Sequence, residues 1–355
     1  MSVEEQQEQA PAESENAVTP REHVVRAILR NPTMMTLAVL IAIVVAFSIL
    51  APDTFTQSSN FVQLAQNVAI LTVVSVGTTF VIITAGVDLS IPSGIVLGEV
   101  FSVHAMQLIH TGGGNTAADV EADHTKVVYM LAALAGAILA GLIIGAINGV
   151  VVAYLKVPPL LATLGTLGAG LGAALILQDG VNTATYALDP VGHGSLIGSI
   201  PNLVLIALLV VIGGFILLHM AVFGRHTYAI GSNPEAARRA GINVERHLLK
   251  VYLIGGVSAG FAGFLSVAYF STTSIGGHST DNLQAITAVA LGGTSLFGGV
   301  GSIIGTLIGV WIPAVLKNGF VIVGVQPYWQ DVSVGLVLIA AVWFDQLRRR
   351  TRDRG

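Results

Sequence analysis

The sequence predicts an all-α fold, a polytopic transmembrane helical bundle of about ten spans with both termini cytoplasmic. Three observations predict it. Charged residues make up 10% of the 355 and hydrophobic residues 53%, with a mean hydropathy of +0.78, whereas a water-soluble chain carries roughly 25% charged residues. The few charges come in blocks, leaving residues 34–50, 61–85, 127–155, 160–177, 202–222 and 251–270 without any Asp, Glu, Lys or Arg. These runs are continuous rather than alternating. Runs of about 18 apolar residues span a hydrocarbon core of about 30 Å as helix, and lipid, having no partners for backbone groups, admits only helices or closed barrels.

Shorter stretches at 91–109, 283–297, 300–316 and 325–344 bring the candidates to ten. Glu99 interrupts the first, and glycines punctuate the second and third. A re-entrant pair over 283–316 is therefore the alternative. Residues 1–30 read as a disordered acidic tail, since Met1–Pro20 holds no Lys or Arg and too little apolar surface to fold. That stretch lacks the basic start of a signal peptide, so an uncleaved first helix is expected. The membrane domain covers 31–346, and 347–355 is a basic tail. With the N-terminus placed inside, only Lys126 and Lys317 of 16 basic residues fall in outer segments, a strong positive-inside bias. The outer loops collect Asp53, Asp119, Glu121, Asp123, Asp179, Asp189 and Asp281. Cysteine is absent, which excludes disulfides, thiol nucleophiles and cysteine-held metals.

Glycines recur every four residues at Gly141, Gly145 and Gly149, and again at Gly256 and Gly260. Such ridges let helix backbones approach closely in lipid.

The longest inner loop, 223–250, contains a short punctuated helix. Asn233 suits an N-cap and Pro234 the first helical position. Glu235 complements the positive end of the helix dipole, Arg238 and Arg239 the negative end, and Gly241 closes the helix. A helix of about eight residues is marginal alone in water. Either its own inner surface or a groove on a partner must hold it.

The segment YAIGSNPEAARRAGI closely resembles the cytoplasmic coupling segment of permeases in ABC importers for ribose, xylose and related sugars. ITAGVDLSIPSG (83–94) resembles the Gly-(Ile/Val)-Asp-Leu-Ser signature of that family. AVALGGTSLFGGVGSIIGTLIG (288–309) resembles its glycine block. The resemblance implies an importer permease subunit of the bacterial inner membrane, in the branched-chain amino acid and sugar permease superfamily. It implies that Asn233, Pro234, Glu235, Ala236, Ala237, Arg238, Arg239, Gly241 and Ile242 dock on a cytoplasmic ABC ATPase. A second permease copy (identical or a sister chain) and an extracytoplasmic solute-binding protein complete the implied partners, with membrane lipid around and no nucleic acid. No cofactor is expected on the chain itself, ATP being used by the partner subunit. The chain departs from the family pattern in the fifth span, where glycines stand in place of an Arg, at Asn282 and Gln284, where acids are usual, and at Glu99.

A neutral polyhydroxylated solute needs hydrogen-bonding side chains along its path. Gln63, Gln66 and Asn67 share one face of the second span and read either as interhelical bonds or as path lining. Asp88 and Ser90 break and cap helices, and the resemblance adds a gating role. Glu99 inside a span must face the bundle, be protonated or meet water, since a central charge costs about 2.5–3.5 kcal/mol. His104, five positions on, lies too far round to be its partner. Thr163 and Thr166 line a path or satisfy their own helix. His193 and His278 fall in outer loops without evident partners and read as surface histidines.

Three function classes remain to weigh. No Gly-x-x-x-x-Gly-Lys-Ser/Thr loop occurs, so the importer reading needs a separate ATPase. An ion-coupled carrier would call for paired intramembrane charges, and Glu99 is the one deep candidate. An intramembrane enzyme would need a metal or nucleophile cluster that the sequence does not suggest. Within the importer class, branched-chain amino acids are the competing cargo.

Overall fold

The computed structural model describes residues 32–109, 126–326 and, with gaps, 328–346. Both predicted tails and the acids Asp119, Glu121 and Asp123 lie outside the described residues. Besides two single turns, the main helices are α1 (Pro32–Leu50), α2 (Ser58–Ile83), α3 (Ile91–Ile109), α4 (Lys126–Ala153), α5 (Pro159–Leu177), α6 (Asn202–Phe215), α7 (Val222–Ser232), α8 (Pro234–Arg239), α9 (Val244–Phe270), α10 (Asp281–Leu291) and α11 (Ile303–Ile322). A π-helical turn, Ile216–Met220, extends α6. The described positions between 328 and 346 are helical as well.

Among the described residues seven helices are long and apolar enough to cross a membrane: α1, α2, α4, α5, α6 with its π turn, α9 and α11. The all-helical reading therefore stands, while the expected count of about ten is not reached by length and composition. Two of the shorter candidates differ for identifiable reasons. α3 has the length, about 28 Å, but residues 91–100 are all buried. A helix sheathed by other helices has no need of a lipid-like surface, which is why Glu99 and several serines are tolerated there. The stretch expected to span 283–297 forms only the 11 residues of α10, about 16 Å of helix, half of a hydrocarbon core.

The residues after α10 turn instead of continuing. Gly293, Gly298 and Gly299 take left-handed φ values of 88°, 85° and 75°, a conformation glycine adopts without penalty. The turn passes beneath α2, where the Gly299 amide donates to the Ile83 carbonyl at 2.8 Å. The following helix then runs to Ile322 rather than stopping at 316. Lys317, expected in an outer loop, consequently sits inside α11.

The centre of the bundle is a three-helix contact made backbone to backbone. A Cβ on Gly141 or Gly256 would run into the other's carbonyl, and one on Gly145 would stand 2.5 Å from the Tyr252 carbonyl oxygen. On the other side of α9, Gly98 faces Gly260 and Gly263 faces the Ile95 carbonyl. The predicted ridges of α4 and α9 thus interlock, and α3 joins them. Around this contact lies the largest apolar cluster, which includes Val73, Ile95, Val103, Ala137, Phe264 and Leu265.

Gly256→Val is expected to cost about 1–3 kcal/mol as an overpacked interior substitution, read as a lowered thermal unfolding midpoint in detergent. Gly213→Ala, where an added Cβ meets nothing within 4 Å, is expected to leave it unchanged.

Candidate functional site

Three polar places stand out along the bundle. The first is at the end that carries α8. The Asn233 side chain accepts from the Ala236 amide at 2.9 Å, Pro234 occupies the first turn, and Gly241 closes the helix with φ 84°. The predicted caps thus make a helix, of six residues rather than eight. The 223–250 segment is correspondingly less of a loop than expected, because α7 occupies its first part and α9 already begins at Val244. Ala237 is buried with Ile230 and Val244, and Ile242 and Leu248 pack on them. Arg238 bonds Glu235 and, at 2.7 Å, Glu245, which also takes Lys156 at 2.9 Å. These pairs are exposed and screened by solvent, so they hold little. The burial of the Ala237 methyl among Ile230, Val244, Ile242 and Leu248 is what seats α8 on its own chain. That leaves Ala236, Arg239 and Ala240 facing outward, with Arg239 in no ion pair among the described residues.

The second place is a buried hydrogen-bonded chain at mid-bundle. Asp88 Oδ1 accepts from the Ser90 amide (2.8 Å) and hydroxyl (2.6 Å). Asn148 donates to Ser90 Oγ at 2.7 Å, and Thr166 donates to Asn148 Oδ1 at 2.7 Å. Thr163 bonds the Pro159 carbonyl of its own helix and, at 3.3 Å, that of Val87. Asp88, Ser90, Thr163 and Thr166, dispersed in sequence, are thus neighbours. Asn148, the link between them, was not singled out from the sequence, because an isolated Asn in an apolar run carries no local signal. Gly255 and Tyr252 of α9 close over this loop.

The third place lies at the opposite end of α9. A cavity of about 390 Å³ is lined on one side by Asn67 of α2, Gly277 and His278 of the α9–α10 connection, Asp281 and Gln284 of α10, and Lys317 and Asn318 of α11, and on the other by apolar residues that include Leu64, Leu71 and Val74 of α2, Phe270 of α9 and Val321 of α11. The volume falls in the range of small-molecule sites. Gln66 turns away and donates to the Gly192 carbonyl at 3.4 Å, and Gln63 is exposed. Only Asn67 of that trio therefore reaches the cavity.

Behind the cavity wall stands the main correction to the sequence reading. His278 is 6% exposed rather than a surface residue. Its Nε2 lies 2.9 Å from Glu99 Oε1 and its Nδ1 lies 2.7 Å from Asp281 Oδ2. Glu99, fully buried, also accepts from Ser266 Oγ and from the Ser274 amide, both at 2.7 Å. Its partner is thus not on its own helix, where His104 bonds the Val100 carbonyl instead. Burial by itself pulls the His278 imidazole down, but the hydrogen bonds to Asp281 and Glu99 override it and hold it up at about 10. The acids on its two ring nitrogens therefore favour the protonated imidazole, and a charge-assisted bond of this kind is roughly twice as strong as a neutral one.

With this geometry in view, the relatives of the chain can be compared. The family described as branched-chain amino acid transport system, permease component, matches residues 60–342. The ribose import permease protein RbsC of Escherichia coli K12 is 35% identical over 94% of this chain and 98% of its own length. The fructose import permease protein FrcC of Rhizobium meliloti is 32% identical over 90% and 87%. The D-allose transport system permease protein AlsC of Escherichia coli K12 is 33% identical over 89% and 91%. No solved structure matches.

A histidine raised above its free value of about 6.5 stabilises the fold fully below that pH and loses the contribution as pH rises through about 10. The unfolding midpoint of His278→Gln is accordingly expected to lie furthest below that of the wild type below about pH 6. The margin should narrow steadily as pH rises from about 6.5 towards about 10, as thermal unfolding in detergent would record.

Proposed function

The chain belongs to the family of permease components of branched-chain amino acid transport systems, and from that membership we propose that it carries a monosaccharide or similar polyol, delivered by an extracytoplasmic binding protein, across the membrane. It is a multi-pass membrane protein homologous to bacterial inner-membrane ABC permeases, a transport subunit rather than an enzyme. The observation that carries the sugar reading is the likeness to the ribose import permease along 94% of the chain, with permeases named for fructose and allose alongside. The Asn67 and Gln284 amides at the cavity suit hydroxyl groups, since an amide offers both donors and an acceptor, while Asn318 beside them is paired with Asn60 through both its oxygen and its nitrogen.

In this reading the energy comes from a separate cytoplasmic ATPase, which meets the outward face of α8 at Ala236, Arg239 and Ala240. Movement there has a physical route inward. Ser232, at the end of α7, packs against Gly299, and Tyr228 donates to the Gly301 carbonyl at 2.8 Å. The glycine turn that receives both joins α10 to α11, and its Gly299 amide is bonded to the end of α2. Those three helices line the cavity. Displacing α8 therefore bears on the cavity walls through contacts between packed, rigid elements, as alternating access requires. Two copies of the chain over two ATPase subunits complete the transporter, and Asp88, Ser90, Thr163 and Thr166 serve as the mid-bundle brace between α3, α4 and α5.

Arg239→Glu is expected to leave membrane insertion intact and to reduce both recovery of a co-purifying ATPase and ATP-driven uptake by about tenfold, the scale of losing one desolvated charged contact. Normal uptake by this variant would remove α8 as the docking element. Uptake of labelled ribose, fructose, allose and galactose against L-leucine, in vesicles holding the intact transporter, decides the cargo class.

A further inference from the structure

We propose that Asp281 grips the solute inside the cavity and that Glu99 and His278 are positioning residues that hold it there. The proposal rests on the sugar-permease reading of the cavity and deepens it. Asp281 opens α10 and lines the cavity with a side chain that is 22% exposed. One of its oxygens, Oδ2, is committed to His278. Oδ1 has no hydrogen-bond partner among the described residues, so it is the oxygen left for a ligand.

The commitment behind it is unusually complete. His278 uses both ring nitrogens, one on Asp281 and the other on Glu99, with Ser266 Oγ at 3.2 Å from the latter. Glu99 uses one oxygen for His278 and Ser266 and the other for the Ser274 amide. An unbroken line of bonds therefore runs from the three-helix core, at the level where Gly263 backs onto α3, to the cavity wall. A carboxylate held in this way has lost its rotamer freedom before any ligand arrives, and a preorganised acceptor binds more tightly and selectively than a mobile one. Its neighbours in the cavity are the Asn67 and Gln284 amides and the Lys317 ammonium, which has no salt-bridge partner among the described residues.

The chemistry that fits is a neutral molecule with adjacent hydroxyl groups. A fixed carboxylate oxygen accepts from such hydroxyls, while the amides and the ammonium donate to the remaining oxygens. An anionic solute would meet the Asp281 charge. Discrimination between sugars that differ in the orientation of one hydroxyl follows from the same fixed geometry, because the wrong isomer leaves a buried polar group without its partner.

The experiment uses the intact transporter, purified with its ATPase and binding protein and reconstituted in vesicles. Initial uptake of D-ribose, D-fructose, D-allose and D-galactose is measured against concentration, with ATP hydrolysis in parallel to report assembly. Asp281→Asn is expected to reduce uptake of the preferred sugar at least about tenfold and to change the ranking of the four. Glu99→Gln and His278→Gln are expected to raise the half-saturating concentration several-fold with maximal uptake largely kept. The double variant Glu99→Gln/Asp281→Asn should be no worse than Asp281→Asn alone, because Glu99 acts through Asp281. If Asp281→Asn does not assemble, Asp281→Glu, which keeps the charge and displaces it, must alter the ranking instead.

An unchanged ranking and half-saturation in an assembled Asp281 variant overturns the site while leaving the sugar reading intact. Additive losses that fall on maximal uptake equally for all four sugars assign Glu99 and His278 to folding alone and overturn their positioning role. Uptake of L-leucine and of none of the sugars by the unaltered transporter overturns the cargo reading and this proposal with it.

Discussion

The contact on which the rest of the molecule depends is the approach of α3, α4 and α9 through Gly98, Gly141, Gly145, Gly256, Gly260 and Gly263. In lipid there is no gain from burying one apolar helix against another, so close van der Waals contact must do the work. Side chains at these positions would hold the backbones apart. With glycine there, the carbonyls of one helix rest against the α-carbons of the next. Helix α3 can then occupy the interior along its first ten residues, which frees it to carry polar groups that a lipid-facing helix would not tolerate.

The polar features follow from that burial. Because α3 is sheathed, Glu99 at its middle is satisfied by other elements, while Ser93 in its first turn donates to the nearby Ser90 carbonyl. Glu99 finds Ser266, Ser274 and His278, which fold the α9–α10 connection back onto the core. Ser90 finds Asp88 and Asn148. Unpaired, each would be expensive in so dry a setting. Paired, they tie a half-length helix, α10, in place, with Asn282 adding a bond to the Leu89 carbonyl at 3.3 Å.

The two ends of the bundle differ in how they are held. At the α8 end the ion pairs among Lys156, Glu245, Arg238 and Glu235 are exposed and weak, and a small apolar patch supplies most of the attachment. At the cavity end Glu99 and His278 are enclosed and fully bonded, while Asp281 is partly exposed and Lys317 has no salt bridge among the described residues.

What the sequence determined by itself are the features whose physics is local or one-dimensional. The length of an uncharged run decides whether a helix can cross lipid, and α1, α2, α4, α5 and α6 follow the runs closely. Capping chemistry is confined to one turn, so Asn233, Pro234 and Gly241 were legible to the residue, and a four-residue glycine spacing announces a smooth face. Likeness of ordered motifs carried the family. What only the tertiary structure decided are the pairings between distant segments. Glu99 and His278 are separated by 179 positions, and nothing in either neighbourhood marks the other. His278 therefore read as a surface histidine, Asn148 as one residue of an apolar run, and Lys317 as part of a loop. The shortness of α10 belongs with them, because a glycine-rich run is as compatible with close helix packing as with a turn, and only the docking of Gly299 beneath Ile83 chose between the two.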